Sequence, residues 1–267
     1  GAPISFEKSS VGATGNTIMA AVTAEGTTII KNAAREPDIE SLCVFLNKMG
    51  ADIKGLGSNE IVIVGQKQLH AGIEYTIIPD RIEVGTFLIA AAITRGDVLL
   101  KDVNLDHLKI VLKYLQLAGM KLKIDQDTIH ITPKNTSIFP VDITTQIYPG
   151  YPTDLQAQWM ALMAKANGSS IITENIYTDR FTHIPELIRF GAHIDLQHNN
   201  ASIKGNDTLI AAPVMSTDIR ASASLIIAAL GAKGKSSISR IYHIDRGYEN
   251  IEVKLSALGA DISRVKE

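Results

Sequence analysis

Asp218 and Arg220 stand at the mouth of an almost wholly apolar run, "APVMSTDIRASASLIIAALGAKG". An Asp in that place reads as a helix N-cap, its carboxylate accepting the unpaired N–H groups of the first turn. An Arg two residues further on opposes the helix dipole, a conflict that a bound anion would relieve. Sixty-four residues earlier, "YPGYPTDLQAQWM" places Asp154 before another helix. Capping is the default role there too, and equivalent acidic caps are what duplication would leave. Two carboxylates beside bound anions can instead differ in pKa and divide general-base and charge-orienting work. "YHIDRGYENIE" adds Arg246 next to Gly247 at a helix start, and "YTDRFTHIPE" sets Asp179, Arg180 and His183 in the corresponding place. Arg grips carboxylates and phosphates through paired N–H groups. An internal Arg–Asp bridge is the competing reading, above all for Arg180.

A fourth junction, "FEKSSVGATGNT", puts Lys8, Ser9, Ser10 and Gly12 ahead of a helix. A cation, hydroxyls and backbone N–H groups there suit a phosphate or a sugar. An ordinary N-cap beside a solvated lysine explains the same residues, since no Walker-type glycine pattern accompanies them. The seven histidines lack metal-ligand spacing, so no metal site is expected. No GxSxG or GxGxxG occurs, which weighs against a serine hydrolase or a dinucleotide enzyme. The single cysteine, Cys43 in "IESLCVFLNKMG", reads as a small buried residue and not as a nucleophile. One cysteine forms no internal disulfide, which favours a reducing compartment.

A net charge of −2 gives no electrostatic case for nucleic acid or an anionic membrane, so any basic site must be local. No apolar run is long enough to span a bilayer, and "GAPISFEKSS" lacks the basic start and apolar stretch of a signal peptide. The expectation is a soluble, cytoplasmic protein.

The elements that position these junctions repeat along the chain. Four segments open on Gly26, Gly96, Gly168 and Gly234, at intervals of 70, 72 and 66 residues. Each reaches a second glycine corner, at Gly50, Gly119, Gly191 and Gly259, after 24, 23, 23 and 25 residues. Glycine just past a helix supplies the left-handed position that ends it, and self-similarity at a fixed period marks duplicated structural units.

Each unit carries two kinds of helix. "NTIMAAVTA", "TFLIAAAIT" and "SASLIIAAL" are apolar nearly all round, which predicts burial on most sides. "TDLQAQWMALMAKA" is more amphipathic, with Leu155, Trp159, Leu162, Met163 and Ala166 on one stripe. The second kind is half-exposed: in "PDIESLCVFLNKMG", Ile39, Leu42, Leu46 and Met49 face one way, with Asp38, Glu40 and Lys48 to water. Short β-rich stretches such as "TTIIKN", "EIVIVG", "TIHITP" and "SSIITE" lie between them, and "QHNNAS" around His198 reads as a hairpin turn. The expected class is α/β, with apolar helices inside and sheets outside; a sheet core flanked by helices is the alternative. The first unit opens almost directly on its helix, and the last stops at "GADISRVKE" without a closing strand, an unpaired edge that something must complete. The domain boundary is expected near "YTIIPDRIEVGTF", giving 1–78 and 79–267.

At these junctions the sequence resembles a family. "VGATGNTIMAAVTAEGTTIIKNAAREPDI", "PDRIEVGTFLIAAAIT", "YPTDLQAQWMAL", "MSTDIRASASL" and "RIYHIDRGYENIEVKLSALGADI" closely resemble the UDP-N-acetylglucosamine enolpyruvyl transferases (1-carboxyvinyltransferases) over nearly the whole chain. The resemblance implies an inside-out α/β barrel of two domains, six repeat units in all, of which the four counted here are present. Residues 1–78 would be the last unit of the first domain and 79–267 the second domain, lacking one strand. It implies transfer of enolpyruvyl from phosphoenolpyruvate to the 3-hydroxyl of UDP-N-acetylglucosamine with release of phosphate, the committed step of peptidoglycan synthesis, without a cofactor.

Carried across by motif, Lys8, Ser9, Ser10, Val11 and Gly12 would belong to the nucleotide-sugar site, and Ile176 would line the nucleotide pocket. Asp154 would contact the sugar hydroxyl as general base. Arg220 and Arg246 would hold phosphoenolpyruvate, with Asp218 supporting the charge pattern at the reacting carbon. The family also has a preceding segment with a Lys–Asn pair, further arginines and a mobile loop bearing a catalytic Cys, or Asp in some members. None of these matches here, and Cys43 falls on a helix, so the expectation is a C-terminal portion whose partner is the missing segment. The sister shikimate-pathway transferases and a non-catalytic ligand-binding or structural fragment are the alternatives.

Overall fold

The computed structural model describes residues 1–134 and 137–265. Two compact units emerge, Gly1–Pro79 together with Ile147–Gly150, and the remaining described residues.

The first unit runs β1 (Pro3–Ser5), α1 (Val11–Ala21), β2 (Thr27–Lys31), α2 (Pro37–Lys48), β3 (Asp52–Lys54) and β4 (Glu60–Val64). Its sheet has the order β1-β2-β4-β3, with β1 and β2 parallel and the other pairs antiparallel. Burial alternates along β2 and β4, as a sheet with one covered face requires. Helix α2 buries Ile39, Cys43 and Leu46 and turns Asp38, Glu40 and Lys48 outward. Helix α1 departs from its sequence pattern. It packs one face on α2 and β4, burying Thr14, Gly15, Ile18 and Ala21, while Met19 is half exposed.

The second unit continues with α3 (Arg81–Thr94), β5 (Val98–Leu100), α4 (Lys109–Leu117), β6 (Met120–Asp125), β7 (Thr128–Pro133) and β8 (Ile143–Thr144). Then come α5 (Gln156–Met163), β9 (Ser169–Thr173), α6 (Ile184–Arg189), β10 (His193–Gln197) and β11 (Asn200–Lys204). The last elements are β12 (Leu209–Ile210), β13 (Pro213–Met215), α7 (Ile219–Gly231), β14 (Ala232–Lys233), β15 (Ser237–Ser239) and α8 (Ile251–Ala257).

Helices α3, α5 and α7 pack against one another at its centre, and the sheets lie outside them with one face buried. The order β8-β9-β11-β10 reproduces β1-β2-β4-β3, parallel pair and hairpin alike. Strands β5, β7 and β6 form an antiparallel triplet, and β13 pairs with β15 in parallel. Among the described residues no strand follows α8.

Helix α5 also departs from expectation, in the opposite sense to α1. All of its residues are buried, Gln156 and Gln158 included. It packs on α3, α7, β9 and β11, so no side of it meets water, and among the described residues the side-chain oxygens of Gln156 and Gln158 are buried without a hydrogen-bond partner.

The repeat glycines do what their spacing predicts at seven of eight places, taking positive φ. Gly96 does not. There Arg95 adopts the left-handed conformation that ends α3, one residue early.

Candidate active site

Asp218 caps α7 as its sequence position predicts. Its Oδ1 accepts the N–H groups of Arg220 at 2.8 Å and Ala221 at 3.0 Å. Its Oδ2 accepts the hydroxyls of Thr182 at 3.1 Å and Thr217 at 3.3 Å. Burial pushes this carboxyl up, but the two backbone donors and then the two hydroxyls outweigh it, and the net shift is downward. Both oxygens are thereby engaged.

Asp154 does something else. It lies in the single 3-10 turn Thr153–Leu155 ahead of α5 and caps no helix. Its Oδ1 accepts from Arg180 Nη1 at 2.8 Å and from Arg220 Nε at 3.1 Å. Among the described residues its Oδ2 accepts no hydrogen bond, and about a third of the side chain is open to solvent (34%). Burial raises this carboxyl, and the charges of Arg220 and then Arg180, with their hydrogen bonds, bring it below the ordinary value. The anion beside Arg220 that the sequence calls for is therefore, in this structure, the protein's own Asp154.

The guanidinium of Arg220 is held from behind. Burial lowers its pKa, while Asp154 and the Tyr248 hydroxyl raise it further, so the cation is retained. Thr86 spends its proton on the Ile82 carbonyl at 2.8 Å. The buried Tyr248 hydroxyl, 2.8 Å from Thr86 Oγ1, must therefore be the donor in that pair. The Gln158 amide donates to the Asp154 carbonyl at 3.0 Å and to Thr86 Oγ1 at 3.3 Å. Helices α3, α5 and α7 and the segment after the 3-10 turn Ile241–Arg246 meet in this network.

Arg180 lies on the other side, with the Tyr177 ring 5.4 Å from its guanidinium carbon. Its Nε is buried without an acceptor, so part of its donor fork is unused. His183, buried next to it, is pushed down to about 4 by burial, which the charge of Asp218 only partly offsets. It is neutral at physiological pH.

The structure thus brings Asp154, Asp218 and Arg220 together, which their spacing in the sequence does not establish. The sequence leaves Arg180 undecided between an internal bridge and a ligand contact, and the bridge it makes is to Asp154, not to the adjacent Asp179. Arg246 ends a 3-10 turn instead of starting a helix; it is exposed and, among the described residues, makes no ion pair. Ile176 is exposed, on the turn after β9. In the first unit Ser10 caps α1 through Ala13 N at 3.2 Å, Ser9 is half-buried, and Lys8, Val11 and Gly12 are exposed. Cys43 is fully buried in α2, where burial and then Glu40 push its thiol up to about 11.

Thr153, Glu174 and Tyr248 carry no site motif of their own. Their sequence signals are weak: a Thr beside Asp154, a Glu closing a strand, and a Tyr inside the Arg246 segment. Among the described residues no group of three or more His, Cys, Asp or Glu is arranged to hold a metal ion, and no helix is long and apolar enough to cross a membrane.

Helices enclosed by repeated sheets are the fold of the enolpyruvyl transferases. The enolpyruvyl transferase NikO from Streptomyces tendae superposes with a TM-score of 0.85 at 27% identity, over 94% of this chain and 60% of that one. An EPSP synthase from Acinetobacter baumannii shares the fold, with a TM-score of 0.73 at 18% identity over 96% of this chain and 62% of its own. The chain belongs to the EPSP synthase (3-phosphoshikimate 1-carboxyvinyltransferase) family, whose sequence profile matches residues 1–255.

Within the family it is 53% identical over 266 residues to a UDP-N-acetylglucosamine 1-carboxyvinyltransferase from Chlorobium chlorochromatii. It is 51% identical over 267 residues to the enzyme of that name from Geobacter metallireducens. All of this chain is matched in both, against 62% and 64% of the relatives' own lengths.

Proposed function

We propose that this chain carries part of an enolpyruvyl transferase that joins phosphoenolpyruvate to the 3-hydroxyl of UDP-N-acetylglucosamine and releases phosphate, the committed step toward peptidoglycan in the cytoplasm. The observation that carries this reading is Asp154. One of its oxygens is fixed by two guanidiniums and the other is open, which suits a hydroxyl that must be oriented and relieved of its proton. The relatives at 51–53% identity, named for this acceptor, favour it over shikimate 3-phosphate.

In the first half-reaction the hydroxyl proton passes to Asp154 as the oxygen bonds to C2 of phosphoenolpyruvate and the C2–C3 π pair takes a proton at C3 from an acid of the completing segment. In the second, that same group takes a proton back from C3, the C2–C3 double bond re-forms, and phosphate leaves with the electron pair of its C2–O bond. Fixed cations at the developing charge stabilise such an adduct. Arg220 and Arg246 are assigned to the phosphoenolpyruvate anion. Asp218 fixes the start of α7, and with it Arg220, and adds its charge near the reacting carbon.

Two arginines keep Asp154 ionised but make it a weak base. An anion drawing on Arg220 loosens that hold, so the proton affinity of Asp154 rises as the second substrate arrives. Ile176 is assigned to the nucleotide, and in the first unit Lys8, Ser9, Ser10, Val11 and Gly12 to the nucleotide sugar. Residues 1–78 are assigned to the end of one transferase domain and 79–267 to a second, completed by a further segment of the same enzyme.

The test is phosphate release by the complete protein, given phosphoenolpyruvate with either acceptor. Release that requires UDP-N-acetylglucosamine supports the proposal. Release that requires shikimate 3-phosphate, or none from folded protein with either, overturns it.

A further inference from the structure

Glu174, the residue after β9, is fully buried, and among the described residues no cation pairs with it. A carboxylate without a counter-charge survives burial only when its lone pairs are taken by good donors. Here Oε1 accepts from Thr145 Oγ1 at 2.7 Å, Ile176 N at 2.8 Å and Tyr177 N at 2.9 Å. Oε2 accepts from Thr153 Oγ1 at 2.8 Å. The Asn175 N–H closes the cluster on Thr145 Oγ1 at 2.9 Å.

An Asn or Asp could satisfy the turn N–H groups from the same backbone position. What a Glu adds is reach, sideways to Thr153, the residue before Asp154. The Thr153–Leu155 turn and the turn that follows β9 are therefore tied twice, by Thr153 to Glu174 and by Asp154 to Arg180.

We propose that Glu174 is a positioning residue: through Thr153 it fixes the turn bearing Asp154 against the turn bearing Arg180, so that the Asp154–Arg180 pair is pre-set and the second Asp154 oxygen stays free. The consequence for catalysis rests on the transferase reading above, whereas the mechanical link does not. The same carboxylate orders Ile176 and Tyr177, so the turn assigned to the nucleotide and the acceptor-facing carboxylate share one anchor.

The test follows the Asp154 carboxyl by carbon-13 NMR in the complete protein, with Asp154→Asn giving the assignment. Thr153→Val is expected to raise the Asp154 midpoint by about half a unit or more, because its contact with Arg180 loosens. It is expected to lower kcat about tenfold with little change in KM for phosphoenolpyruvate, and Thr153→Ser to restore both. Glu174→Gln keeps a carbonyl for the two turn N–H groups and turns its amide to Thr153 Oγ1, so Asp154 still titrates low.

A Thr153→Val midpoint equal to the wild type overturns the proposal. So does a Thr153→Ser midpoint raised as far as that of Thr153→Val, since the hydroxyl link to Glu174 would then not be what sets it. Thr153→Ala gives the same readout where Thr153→Val does not fold. A wild type without acceptor-dependent phosphate release sinks the transferase reading and leaves the titration to decide the link.

Discussion

Arg220 Nε lies 3.1 Å from Asp154 Oδ1, so the first turn of α7 reaches back to the turn that precedes α5. The guanidinium leaves its own helix dipole for a carboxylate 66 residues away, and Tyr248 holds it there. The site is thus built from the ends of the central helices, and the apolar triad α3, α5 and α7 sets its dimensions.

Replacing Arg220 by Ala leaves Asp154 paired with Arg180 alone. In the complete protein this is expected to lower kcat/KM for phosphoenolpyruvate roughly 100-fold or more, the usual effect of deleting one fixed donor at a developing charge. Unfolding free energy falls by about 2 kcal/mol at most, since the partly exposed carboxylate keeps one partner. Steady-state kinetics and urea unfolding on the same preparation check both. A large loss of stability with normal kinetics per folded molecule makes Arg220 a structural bridge.

Acid stability separates two groups of the site by the pH range in which each contribution is lost. Asp218 titrates below its unfolded value, so its contribution is full above about pH 4 and fades as pH falls through the depressed value. Asp218→Asn, which can still cap, is therefore expected to differ from wild type equally at pH 7 and 5 and to converge with it below about pH 4.

His183 acts over a higher pH range. Its imidazole is pushed down to about 4, so the unfolded chain takes the proton first and stability falls between pH 6.5 and 4, by about 3 kcal/mol in all. His183→Gln flattens that slope in urea unfolding measured across the interval. An unchanged slope contradicts the assignment.

Tyr151 and Tyr248 are both buried and predict opposite outcomes. The Tyr151 ring packs edge-on to Tyr114 at 5.4 Å and to Trp159 at 5.6 Å, but its hydroxyl has no hydrogen-bond partner among the described residues. Tyr151→Phe is expected to leave the melting temperature unchanged or raise it. Tyr248→Phe strips a partner from Thr86, Gln158 and Arg220, and costs about 1–2 kcal/mol. Thermal unfolding of the two variants side by side gives the comparison.

Much of this architecture is legible in the sequence because glycine has few substitutes at positive φ. Gly50, Gly119, Gly191 and Gly259 mark the helix corners at near-constant spacing, and the alternating strands between them read directly. Burial of individual helices is less legible, because composition records what a helix can bury and not what surrounds it. Helix α1 is apolar yet half exposed, whereas α5 carries Gln156 and Gln158 into the core.

At the site, Asp218 is readable because capping is local. Asp154 reads as a second cap for the same reason, wrongly, since its partners Arg180 and Arg220 lie 26 and 66 residues away. Glu174 is invisible in sequence for a related cause: a Glu after a strand is usually solvated, and only the fold brings Thr145 and Thr153 to it.

The most direct test of the account is Asp154→Asn in the complete protein, assayed for phosphate release with phosphoenolpyruvate and UDP-N-acetylglucosamine. The amide preserves shape and an acceptor for the arginines but takes no proton. The expected result is a folded protein that binds UDP-N-acetylglucosamine with kcat lowered about 100- to 10,000-fold, the range for loss of a general base. A variant that turns over within a few-fold of wild type contradicts the central claim, and Asp154 would then serve only to hold Arg180 and Arg220 in place.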